Sequence, residues 1–87
     1  MPRYFFNFTD GERRVPDHEG QVLPDGAAAR ENAVEDARYL LRHSITGMTA
    51  EGGWRVEVAD ERGRVLFVVP FAEAVQAGKP DTAFGRE

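Results

Sequence analysis

Residues 25–46 are the one long stretch of this chain with helical period, and pairs of strand-like segments flank them on either side. Ala29, Ala33, Ala37, Leu40, Leu41 and Ser44 recur at three- and four-residue spacing, with Val34 and Ile45 beside them. Charged residues such as Arg30, Glu31, Glu35, Asp36, Arg38 and Arg42 fill most of the rest. Such a helix is amphipathic and buries one stripe. Asp25 is placed to cap its start and Gly47 to follow its end. With 87 residues there is room for one core, so this helix must cover one face of whatever the strands build.

The strands are read from their period of two. Arg3–Thr9 puts Tyr4, Phe6 and Phe8 on one side and Arg3, Phe5 and Asn7 on the other. Asp10-Gly11 then signals a hairpin turn into a short charged strand, Glu12–Val15, which Pro16 ends. The segment PDHEGQVLPDG reads as irregular, with Val22 and Leu23 plugging it onto the core. Trp54, Val56 and Val58 alternate with Arg55, Glu57 and Ala59, and DERG turns the chain into a last strand, Arg64–Pro70. That strand is apolar on both sides, Val65, Phe67 and Val69 on one and Leu66 and Val68 on the other. It therefore reads as central or covered.

The expected fold is α+β: β-β-α-β-β, one four-stranded, mainly antiparallel sheet with a single helix on one face. Hydrophobicity places the first and last strands at the centre. Short connections allow either of two orders, with strands beginning near residues 12, 3, 64 and 54, or near 12, 3, 54 and 64. Residues 1–75 form the domain, FAEAV adds a short helical turn, and 76–87 form a flexible tail in which Phe84 stands out. Trp54, Phe6 and Phe67 head the expected core.

The motifs MPRYFFNF, the Asp10-Gly11 turn, DHEG and LPD before an alanine-rich helix, and GWRVEVADERGRVLFVVPF together resemble a bacterial family of short proteins classed as a domain of unknown function. The resemblance covers nearly all of residues 1–75 and implies no activity, substrate or cofactor. Many members of that family carry histidine where this chain has Asn7. Asparagine donates and accepts hydrogen bonds but neither shuttles protons near neutral pH nor ligates a metal as imidazole does.

Chemistry has few places to reside. There is no cysteine, so thiolate nucleophiles, thiolate metal sites and disulfides are excluded. Asp17, His18 and Glu19, with His43 farther off, are the candidates for a metal or acid–base site, but their spacing matches no common ligand motif. The same residues suit a turn around Gly20 whose free amides the carboxylates accept. Ser44 is the only serine, and His43, adjacent on one helix, points about 100° away from it. No cofactor is expected, and the chain is not read as an enzyme.

Three function classes remain in order. The favoured one is a protein-interaction module, a homodimer or a binder of another protein, using Phe5, Asn7, Leu66 and Val68 on the face the helix leaves open. The alternative is a small nucleic-acid-binding regulator of the antitoxin or repressor type contacting phosphates through Arg55, Arg62 and Arg64; a net charge of -4 disfavours it. The third is the Asp17–His18–Glu19 site. With no apolar segment long enough to cross a bilayer, no membrane partner is expected, and the cytoplasm is the expected location.

Overall fold

A computed structural model describes residues 1–43 and 47–77. The elements run β1 (Arg3–Thr9), β2 (Arg14–Val15), β3 (Gln21–Val22), α1 (Gly26–His43), β4 (Arg55–Ala59), β5 (Val65–Pro70) and α2 (Phe71–Ala77). The fold is α+β, with the strands ordered β2-β1-β4-β5, all antiparallel, and β3 paired with the far end of β1. None of the described helices is long and apolar enough to cross a membrane.

Each element follows from its residues. Along β1, Tyr4 and Phe6 are buried against the helices, and Phe8 packs edge-on against Phe71 with ring centroids 6.2 Å apart. Trp54, Val56 and Val58 lie on the same side and are fully or nearly fully buried. α1 starts where Asp25 Oδ1 accepts from the Ala28 amide at 2.9 Å. Ala29, Ala33 and Ala37 have no exposed surface, and their small side chains let the helix sit close to the sheet. At its other end His43 Nδ1 lies 2.8 Å from the Tyr39 carbonyl oxygen. Gly47 has a φ of +76°, while Ser44, Ile45 and Thr46, expected to complete the helix, lie outside the described residues.

Five expectations change. The order is the second of the two foreseen, so β1 and β4 are central and the apolar last strand, β5, lies at the edge. Among the described residues the sheet has five strands rather than four, because Gln21 and Val22 pair with Tyr4 and Arg3 in a segment expected to be irregular. Val22 is accordingly exposed, and only Leu23 of that pair packs on the core. The first turn is also longer than a two-residue hairpin: Thr9 opposes Arg14, and Asp10 Oδ1 accepts the Glu12 and Arg13 amides, holding a four-residue loop.

Finally, the helical layer contains two helices among the described residues. FAEAV is not a single turn but the body of α2, which packs beside α1 and reaches Ala77. Phe71 and Ala74 are completely buried, so they belong to the core. Residues 78–87, including Phe84, lie outside the described part of the chain.

Candidate functional site

Two places combine unusual geometry with exposed or ionisable groups: the edge of β1 around Asp17, and the outer sheet face around β5.

β2 and β3 both run antiparallel to β1, pairing with Phe8–Thr9 and with Arg3–Tyr4. Between them the chain leaves the edge for residues 16–20, which would strand the backbone of Phe6 without a partner. Asp17 fills the gap. Its Oδ2 accepts the Phe6 amide at 3.1 Å, its Oδ1 accepts the Glu19 and Gly20 amides at 3.1 Å, and its own amide donates to Asn7 Oδ1 at 2.8 Å. Burial works to raise the carboxyl's pKa, but the amides of Gly20, Phe6 and Glu19, together with the neighbouring His18, outweigh it and hold the group below its ordinary value. The loop closes on Gly20, whose φ is +72° and whose backbone sits so near Tyr4 and Phe5 that an added Cβ would meet the Tyr4 carbonyl oxygen at 2.8 Å.

Asp17 and Asn7 thus complete a sheet edge. Asn7 is only 6% exposed and spends its side-chain oxygen inside the protein. Phe5 is half-buried, with the backbone of Gly20 against its ring. His18 and Glu19 are exposed, and His43 is stacked on Tyr39 at the end of α1 with ring centroids 4.0 Å apart. Among the described residues no group of three or more histidine, cysteine, aspartate or glutamate side chains is arranged to hold a metal ion.

On the inner side of the same loop, a cavity of about 360 Å³ lies between Phe6, Pro16, Asp17, Asn32 and Asp36. Burial, and then the charges of Asp17 and Glu35, push the Asp36 carboxyl above its ordinary pKa. Nothing in the sequence separates Asp36 from the other acidic residues of α1. Its environment is created by a loop that arrives from another part of the chain.

The outer face centres on β5. A bulge shifts the register there: Val58 opposes Phe67, but Ala59 opposes Val65, which leaves Leu66 as the extra residue. The shift turns Val65 to the face it was not expected to occupy, since cross-strand partners share a face. Val65, Leu66 and Val68 are 45%, 45% and 40% exposed. Phe67 stays on the inner side against the core, with the Arg30 guanidinium 5.9 Å from its ring centroid.

Of the arginines considered for phosphate contact, Arg55 and Arg64 have side-chain partners. Arg55 donates to the Gly53 carbonyl oxygen at 3.1 Å, and Arg64 approaches Asp60 at 3.8 Å on the β4–β5 turn. Arg62 gives its backbone amide to the same aspartate. Elsewhere Arg14 pairs with Glu57 at 3.3 Å, and Arg13 pairs with Asp10 while lying 5.1 Å from the Trp54 ring centroid.

A family model described as a domain of unknown function (DUF6894) matches residues 3–72. No curated protein and no solved structure matches the chain.

Proposed function

The chain belongs to that DUF6894 family, a membership that names no substrate, cofactor or partner, and from the geometry we propose that it is a non-catalytic protein-interaction module that self-associates through its sheet. One observation carries the reading: Val65, Leu66 and Val68 are each 40% or more exposed within four residues of a strand. Apolar groups concentrated in this way are costly to leave in water, and burial recovers about 25 cal/mol for each Å² removed from it. The described chain covers its inner face with two helices and leaves this strip open. The reading takes the protein to be a cytoplasmic homodimer.

Multi-angle light scattering and sedimentation across a wide concentration range test it. The expected result is a concentration-dependent shift from 9.7 kDa towards twice that mass. Leu66→Glu should hold the protein at the lower mass without changing its circular dichroism. A parent chain that stays monomeric at the highest concentrations would sink the proposal.

A further inference from the structure

We infer that the two copies meet face to face across the outer sides of β4 and β5, and do not join strand edges into one continuous sheet; this rests on the self-association proposed above. The free edge of β5 is poorly made for pairing. The Phe71 amide donates to the Trp54 carbonyl oxygen at 3.0 Å, so these two residues are a bonded pair of the antiparallel ladder. Bonded and non-bonded pairs alternate, which makes Val69 with Val56 and Phe67 with Val58 the next bonded ones. The backbone groups of Val68 and Pro70 then point the other way, to the open edge. Pro70 has no amide hydrogen to give, and Leu66 is the extra residue of a bulge. Val68 offers a donor and an acceptor in regular register, whereas Val65, the next residue opposite a β4 partner, lies beyond the bulge.

The opposite border of the sheet is no better. β2 and β3 are two residues each, with a loop held by Asp17 between them. Short strands, bulges and proline are the devices by which sheets avoid edge pairing.

The face, in contrast, is self-complementary. Next to the exposed Val65 lies a shallow groove of about 260 Å³ lined by Phe5, Asn7 and Ala59 and by the charged Arg14, Asp60 and Glu61. Val68 stands directly opposite Glu57, and Pro70 opposite Arg55. Knob, groove and charges of both signs thus share one surface, as a two-fold contact between identical copies requires.

The dimer dissociation constant of the full chain, measured by sedimentation equilibrium for four single variants, tests the arrangement. Face-to-face contact predicts that Val68→Glu weakens association at least a hundredfold and that Arg55→Glu and Glu57→Arg, both on β4, each weaken it about tenfold or more. Pro70→Val should leave it within about threefold. Edge pairing would keep β4 one strand spacing, about 5 Å, behind the contact. In that case Arg55→Glu and Glu57→Arg change nothing and Pro70→Val, which restores an amide, tightens the dimer; this result overturns the inference while leaving self-association standing. A monomeric parent overturns both, and a chain ending at Ala77 that dimerises when the full chain does not would identify residues 78–87 as the cover.

Discussion

Replacing Asp17 by alanine removes the acceptor of three backbone amides at once, and their surroundings set the cost. The Phe6 amide lies in the middle of β1, between the two short strands, where no other acceptor replaces the carboxylate. Leaving a buried donor unsatisfied costs about 1–3 kcal/mol. The Glu19 and Gly20 amides lie in an open loop and regain water, so each contributes only about 0.5–1 kcal/mol. The sum is roughly 2–5 kcal/mol, against about 4–13 kcal/mol for the whole stability of a chain of this length. Asp17→Asn keeps one acceptor oxygen and should cost about half as much. Urea unfolding followed by the fluorescence of Trp54, the single buried tryptophan, measures the loss, and hydrogen exchange at the Phe6 amide localises it. If Asp17→Ala stays within about 0.5 kcal/mol of the parent and the Phe6 amide remains protected, the carboxylate is not the partner on which this edge depends.

Phe71→Ala should cost about 3–5 kcal/mol in urea unfolding, since Phe71 is wholly buried, and more than Phe67→Ala, whose side chain is only partly buried. Gly20→Ala forces a side chain into a φ of +72° and against the Tyr4 carbonyl oxygen, so the melting temperature should fall by roughly 8 °C or more; an unchanged value would mean the loop can shift freely. The pH dependence combines two signs. Asp10, taken down to about 2 by the amides of Arg13 and Glu12, and Asp17, also lowered, stabilise the fold above the ordinary carboxylate range, and that stability is lost as pH falls through their folded values. Asp36 is raised, so its charge costs stability at neutral pH and the cost fades as pH falls towards the ordinary value. Asp36→Asn should therefore melt higher than the parent at pH 7 and no higher below about pH 4; equal melting at pH 7 would show that the burial of Asp36 carries no penalty.

Period and punctuation made much of this architecture legible. The alternation in Arg3–Thr9 and in 54–59, the alanine stripe of α1 and the Asp25 cap each rest on local rules that the tertiary structure obeys. What escaped depends on partners distant in sequence. Gln21 and Val22 are a strand only because Arg3 and Tyr4 lie opposite, and both are exposed, so no apolar pattern announces them. Asp17 reads as an ordinary turn former, which it is, but its bond to Phe6 spans eleven residues of chain. The bulge at Leu66 reverses Val65 without any glycine to mark it. Most instructive is β5: apolar residues on both sides suggested a central strand, yet hydrophobicity records only what a side chain prefers, and here half of that preference is unmet within the described chain. The same surplus that misplaced the strand marks the candidate interface.

The interruption between β2 and β3 also makes the molecule a ready scaffold. A single carboxylate splices two strand fragments across residues 16–20, so the sheet takes no account of the side chains of His18 and Glu19, which face solvent. Extra sequence entering between those two positions would emerge as a surface loop while Asp17 and Gly20 hold its ends together. A small domain free of cysteine thus carries a built-in port for displaying foreign peptides, on the edge of the sheet opposite the strand proposed to meet its partner.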